Sequence, residues 1–176
     1  MRAAAQTFAA AASGLDPLTG LRTRKDLLHE LERELSRFQR TGRPFCITIA
    51  DIDHFKNVND TYGHETGDRV LAAVADRISH SLRTHDDAFR LGGEEFLLCF
   101  KEADLSAGQI VIERLRKILR DKPVMMVGDK NIFVTMSFGL AVCKRDMNAD
   151  ELLRRADKAL YRAKNEGRDR VVVAEI

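Results

Sequence analysis

Apolar side chains recur at helical spacing in four long stretches of the chain and alternate with polar ones in several short stretches. Leu27, Leu28, Leu31, Leu35 and Phe38 share one face and predict a helix over about residues 25–39. Thr41-Gly42-Arg43-Pro44 breaks it. Phe45, Ile47 and Ile49 then alternate over residues 45–53, which reads as a strand ending in Asp51-Ile52-Asp53. A short helical stretch covers residues 55–60, and Gly63 and Gly67 punctuate the loop after it. Val70, Leu71, Val74, Ile78 and Leu82 predict a second long helix over 67–83. Ala88–Leu91 and Glu95–Phe100 are short strands around Gly92-Gly93-Glu94, a hairpin signal because adjacent glycines reach the positive φ angles of tight turns. A helix over residues 106–120 stops before Pro123, and apolar runs at 124–127 and 131–142 flank Gly128-Asp129-Lys130 as a second hairpin. Asn148 caps a last helix, 149–165, which Gly167 ends before a closing strand, Val171-Val172-Val173. Helices interleaved with hairpins predict an α/β fold of the α+β kind, its sheet mixed or mostly antiparallel rather than doubly wound.

Composition narrows this picture. With 176 residues, 44% of them apolar, the chain has the length of one domain and enough apolar matter for a core. No apolar run approaches the roughly 18–20 residues of a membrane helix. A net charge of +2, with both signs dispersed, gives no broad basic face for nucleic acid but leaves room for a local basic pocket around a small anion. Cys46, Cys99 and Cys143 are scattered and odd in number, which predicts buried thiols in a reducing, cytoplasmic compartment rather than disulfides or a zinc cluster. Residues 1–14 are Ala-rich and read as a linker or helix remnant, because alanine alone makes a poor signal-peptide core. The composition shift at Gly14-Leu15-Asp16-Pro17 sets the domain at residues 15–176.

Neither GxGxxG nor a Walker A pattern is present. Carboxylates carry the strongest chemical signal. Asp51 and Asp53 are two apart at a strand end and Glu94 and Glu95 sit at a glycine turn. Four acids brought together would repel one another, and a divalent cation with oxygen ligands, Mg2+ or Mn2+, relieves that cost. Spacing alone allows equally that they are solvated loop acids. Gly92 and Gly93 permit close approach of backbone to a ligand, or simply a tight turn. The stretch Asp51–Asp68 adds Lys56, Asn57, Asn59 and His64; amide and carboxylate side chains there can read a guanine edge, and Lys56 can serve as a phosphate point charge, or the polar groups can merely cap helices. His54 reads as a surface residue. Two RxxD tetrads occur, Arg83/Asp86 and Arg154/Asp157, no more than chance predicts. Lys164 and Arg168 flank the end of the last helix, where the helix dipole favours cations and where a triphosphate could be clamped.

Arg90-Leu91-Gly92-Gly93-Glu94-Glu95-Phe96 resembles the signature of the GGDEF domains, the diguanylate cyclases, in its GGEEF form. The resemblance covers about residues 15–174 and includes Asp16-Pro17-Leu18-Thr19-Gly20-Leu21, Asp51 through Lys56, Asn59 through His64, Gly67-Asp68, and Arg155-Ala156-Asp157 through Tyr161-Arg162-Ala163-Lys164. It implies a five-stranded central sheet wrapped by helices, similar to the palm of nucleotidyl cyclases and polymerases, with a further C-terminal hairpin or strand. It implies condensation of two GTP into cyclic di-GMP with release of two pyrophosphates, by a homodimer whose sites face each other. Asp51, the carbonyl of Ile52 and Glu94 would ligate Mg2+ or Mn2+. Glu95, or Glu94, would assist deprotonation of the 3′-hydroxyl, with Lys56 as a third catalytic group. Asn59 and Asp68 would read guanine, with Phe55, His64, Gly92 and Gly93 beside the nucleotide and Lys164 and Arg168 on its phosphates. Arg83 lies nine residues before Gly92, where the family carries an inhibitory RxxD; Arg83 and Asp86, with Arg114, would bind product. Arg154/Asp157 has no such placement. Thr23 and Ala50 depart from the usual pattern without touching the proposed chemistry. The alternative is a catalytically silent GGDEF module that binds GTP or cyclic di-GMP and regulates a partner; a polymerase or single-nucleotide cyclase palm is a third reading. An N-terminal sensor or regulatory region, membrane-tethered or not, is expected in the full-length protein.

Overall fold

The computed structural model describes residues 14–175, so nearly all of the Ala-rich segment 1–14 lies outside the described residues. Its elements are β1 (Arg22–Thr23), α1 (Arg24–Thr41), β2 (Cys46–Ile52), α2 (Phe55–Tyr62), α3 (His64–Ser81), β3 (Asp87–Gly92), β4 (Glu95–Phe100), α4 (Leu105–Asp121), β5 (Met125–Val127), β6 (Lys130–Ile132), β7 (Met136–Val142), α5 (Ala149–Asn165) and β8 (Val171–Val173). Six strands form one mixed sheet in the order β1-β3-β4-β2-β7-β8. β1 pairs parallel with β3 and β8 parallel with β7; the inner pairs are antiparallel.

The alternation of strand side chains sorts the core into two layers. Cys46, Ala50 and Ile52 of β2 and Phe96, Leu98 and Phe100 of β4 face α3 and α4, where Val70, Val74, Ile78, Ile112 and Leu115 close one core. Ile47 and Ile49 of β2 and Leu97 and Cys99 of β4 face α1 and α5, against Leu27, Leu31, Leu152, Ala156 and Leu160. Residues at odd positions of β2 and β4 therefore share the α1/α5 face, and Asp51 and Glu95 belong to that set. Gly139 of β7 lets α5 lie flat on the sheet: a Cβ there would come within 2.1 Å of the carbonyl oxygen of Ala156 and 2.2 Å of the amide of Leu160. This close approach sets where the C-terminal end of α5, and Lys164, come to rest. No described helix is long and apolar enough to cross a membrane.

Three expectations need correction. The sheet has six strands, because a two-residue edge strand, β1, joins the expected five. The apolar run 131–142 is two elements: β6 pairs only with β5 in a separate hairpin, while β7 enters the main sheet beside β2. The break falls at Phe133-Val134-Thr135, where neither Gly nor Pro marks it. α3 begins at His64 rather than at residue 67. Gly67 lies inside the helix, and its lack of a side chain serves packing.

Candidate active site

The last residues of β2 and the tip of the β3–β4 hairpin meet at one end of the sheet. Asp51 stands opposite Glu95 in the antiparallel register. The amide of Ile52 donates to the carbonyl of Glu94 at 3.3 Å. From α5, Nζ of Lys164 lies 2.9 Å from Oδ2 of Asp51. Asp51 is 8% exposed. Burial raises its pKa, the hydrogen bond and charge of Lys164 counter that, and the charges of Glu94 and Glu95 push it up again; the net shift is upward. Among the described residues, no three His, Cys, Asp or Glu side chains are already gathered closely enough to hold a metal. The donor set still fits one: two carboxylates and a main-chain carbonyl on adjacent strands supply only oxygen, and Mg2+ is commonly held by one or two carboxylates together with substrate phosphates.

The hairpin tip is bare. Gly92 (φ 151°) and Gly93 (φ 50°) adopt backbone conformations that favour glycine, and a Cβ on either would meet no atom within 4 Å. A bulge between Arg90 and Gly92 sets the turn's direction. Arg90 holds it there, with Nε and Nη2 donating to the carbonyl of Gly93 at 3.1 and 2.9 Å and Nη1 reaching Asp16 at 3.1 and 3.2 Å. Burial opposes ionisation of Asp16, but hydrogen bonds from Thr19 and Arg90 outweigh it and the pKa is lowered. Arg90 and Asp16 were visible in the sequence only as members of motifs; their contact spans 74 positions, and local patterning carries no signal for it.

The expected guanine readers lie together on α2 and α3. A Cβ on Gly67 would come 1.8 Å from Oδ1 of Asn59 and 3.4 Å from the ring of Phe55, so only glycine lets Asn59 lie against α3 one residue before Asp68. Asp68, His64 and Lys56 are exposed, and Asn59 is half-buried. Phe55 is 6% exposed and packs into the core beneath Gly67.

Asp53 does not share the Asp51 cluster. Its Oδ1 accepts from the hydroxyl of Ser137 at 2.7 Å, and its Oδ2 accepts from the hydroxyl of Thr135 at 2.7 Å and the amide of Asp169 at 3.0 Å. The expectation that four acids share one place is corrected: Asp53 is already bonded elsewhere, which leaves Asp51, Glu94 and Glu95 at the glycine-tip end. Arg168 lies in the turn after α5, its Nη1 3.4 Å from the carbonyl of Lys164. His54 is exposed, as expected, and starts α2 from a left-handed conformation (φ 54°).

Arg83 and Asp86 lie in the link between α3 and β3, at the opposite end of β3 from the glycine tip. Asp86 accepts from the amide of Arg83 at 3.0 Å and from that of Lys101 at 3.1 Å, which leaves the Arg83 side chain exposed. Arg114 of α4, also exposed, donates to the carbonyl of Ser81 at 3.0 Å and so lies near the same link. Arg154 sits on the exposed surface of α5, paired with Glu151.

Comparison with known proteins settles the family. The model described as "Diguanylate cyclase, GGDEF domain" matches residues 13–170. The chain belongs to the GGDEF domain family. It is 41% identical to the diguanylate cyclase DgcP of Pseudomonas aeruginosa over 90% of its own length and 24% of that protein. To the probable diguanylate cyclase DgcT of Escherichia coli it is 39% identical over 92% of its length and 36% of the relative's. The chain thus spans between a quarter and about a third of these relatives. Among solved structures, the GGDEF domain of DgcB from Caulobacter crescentus in complex with c-di-GMP superposes with a TM-score of 0.87 at 35% identity, covering 93% of this chain and 94% of that one. Diguanylate cyclase SiaD from Pseudomonas aeruginosa, in complex with its activator SiaC, gives a TM-score of 0.87 at 38% identity over 98% of this chain and 67% of that one.

Proposed function

We propose that this GGDEF domain is an active diguanylate cyclase that condenses two GTP into cyclic di-GMP and two pyrophosphates. One observation carries the reading: at the end of β2, Asp51 stands opposite Glu95 in register, Ile52 bonds the main chain of Glu94, and the Lys164 ammonium reaches Asp51, all beside a bare glycine tip. Asp51, Glu94 and the carbonyl of Ile52 would hold Mg2+ or Mn2+, which would neutralise charge on the triphosphate. Lys56, Lys164 and Arg168 hold the phosphates as cations. Asp68 accepts from the N–H groups of the guanine edge, the Asn59 amide pairs with the same base, and His64 borders it. Gly92 and Gly93 let the nucleotide lie against main chain. Glu95, or Glu94, takes the proton of the 3′-hydroxyl as that oxygen attacks the α-phosphate of the other GTP and pyrophosphate leaves. Phosphoryl transfer depends mainly on such positioning and charge stabilisation. One domain holds one GTP, so two copies must face each other, and turnover requires a homodimer. Arg83, Asp86 and Arg114 bind the cyclic product as feedback control. The relatives' greater length supports a sensor or regulatory region joined to this domain, and the buried free thiols of Cys46, Cys99 and Cys143 support a reducing, cytoplasmic setting.

The test is incubation of the domain with GTP and Mg2+ at several protein concentrations, followed by chromatography of the nucleotides. Cyclic di-GMP and pyrophosphate are expected, with specific activity rising with protein concentration. Unconsumed GTP, or a single-nucleotide cyclic product, would overturn the reading.

A further inference from the structure

We infer that Asp53, Asp169 and Arg116 are positioning residues that fix the turn after α5, which carries Arg168 and directly follows the helix end that carries Lys164. The turn is unusual in its backbone. Gly167 (φ 115°), Arg168 (φ 63°) and Asp169 (φ 43°) follow one another with positive φ. A helix exit ordinarily needs one residue of this kind, and glycine supplies it. Arg168 and Asp169 carry side chains that disfavour the conformation, so it must be held from outside.

The holding contacts come from the end of α5 itself and from two residues outside the turn. The amide of Arg168 donates to the carbonyl of Ala163 at 2.9 Å, closing the helix end. The amide of Asp169 donates to Oδ2 of Asp53. Nη1 of Arg116, on α4, donates to the carbonyl of Asp169 at 3.0 Å and to its Oδ1 at 2.8 Å. Both outside residues are themselves fixed. Asp53 is clamped by the hydroxyls of Thr135 and Ser137, and Nε of Arg116 donates to Glu113 at 2.9 Å. Asp53 is 6% exposed and the side chain of Arg116 13% exposed, so both work away from bulk water. Two acids two residues apart thus divide their tasks: Asp51 faces the hairpin tip and Asp53 faces the turn.

This inference rests on the proposed GTP site and extends it. If Arg116 and Asp53 aim the turn, their loss affects the phosphate end of the nucleotide and spares the guanine end, which is read from α2 and α3. Binding of 3′-deoxy-GTP, which cannot be cyclised, and of GMP would be measured by calorimetry with Mg2+ on the wild-type chain, Arg116→Met and Asp53→Asn. The wild type is expected to prefer the triphosphate. Each variant should lose about tenfold of that preference, the scale of one charge-assisted hydrogen bond, while keeping its GMP affinity. Retained GMP affinity also shows a folded protein, so a variant that fails to fold leaves the decision to the other. A preference unchanged in the folded variants would overturn the positioning role, as would equal loss of GMP and triphosphate binding. A wild type without any triphosphate preference would overturn the proposed site itself.

Discussion

Glu95 and Lys101 stand at opposite ends of β4 and direct their charge to the same face of the sheet, yet their surroundings are opposite. At the Lys101 end, Nζ lies 2.9 Å from Glu30, 2.6 Å from Asp87 and 3.8 Å from Glu34. Arg22 spans Glu30 and Asp87 at 3.1 Å each and lies 4.9 Å over the ring of Phe89, and Arg33 adds a 2.6 Å contact to Glu30. Buried acids there are matched by cations. Burial opposes the ionisation of Glu30, but Lys101, Arg22 and Arg33 outweigh it and its pKa is lowered; burial likewise opposes the charge of Lys101, but hydrogen bonds and charge from Asp87 and Glu30 outweigh it and raise its pKa. At the Glu95 end, Asp51 pairs among the described residues with Lys164 alone, and burial with the charges of Glu94 and Glu95 leaves its pKa raised. A buried acid pulled down by its neighbours belongs to the architecture. One pushed up beside like charges is what a functional site would need, and the proposed cation would relieve it.

Breaking each end should give opposite phenotypes. Glu94→Ala and Glu95→Ala should each cost at least about a hundredfold in cyclic di-GMP synthesis, the scale of removing one transition-state contact, with melting temperature nearly unchanged. Lys101→Met should do the reverse, because it removes the buried ammonium that Glu30 and Asp87 share and leaves them the more exposed Arg22 and Arg33. A loss of about 3–5 kcal/mol in urea-unfolding stability is expected. Away from both ends, Asp68→Ala should reduce discrimination of GTP from ATP by about tenfold in kcat/KM, the value of one hydrogen bond to a charged group. The smallest effect is in pH. The folded pKa of Glu30 lies below its ordinary 4.5, so its stabilising share is complete above that value and is lost as pH falls through the folded pKa. Acid unfolding of Glu30→Gln should therefore be shallower than that of the wild type below pH about 4.5.

The same contrast explains what the sequence could reveal. α1, α4 and α5 were legible because stripes such as Leu27-Leu31-Leu35 obey one period, and Asn148 caps α5 as expected, its Oδ1 accepting from the amide of Glu151 at 2.8 Å. The glycine tip and the Asn59–Asp68 stretch were legible as motifs. Contacts between distant positions were not. The spacing of Asp51 and Asp53 implies a shared role, and only the hydroxyls of Thr135 and Ser137, more than 80 positions away, show that Asp53 is already spoken for. Gly67 reads as a helix boundary until Asn59 is seen packed against it. The Lys101 cluster gives no local sign at all, since Glu30 and Lys101 are 71 positions apart.

The central claim, that the Asp51–Glu94–Glu95 edge grips a divalent cation beneath a guanine nucleotide, is tested most directly by titrating Mn2+ into the domain in the presence of 3′-deoxy-GTP, for the wild type and Asp51→Asn. The account predicts a nucleotide-dependent Mn2+ site in the wild type that Asp51→Asn lacks. Equal Mn2+ uptake by the two proteins would contradict it.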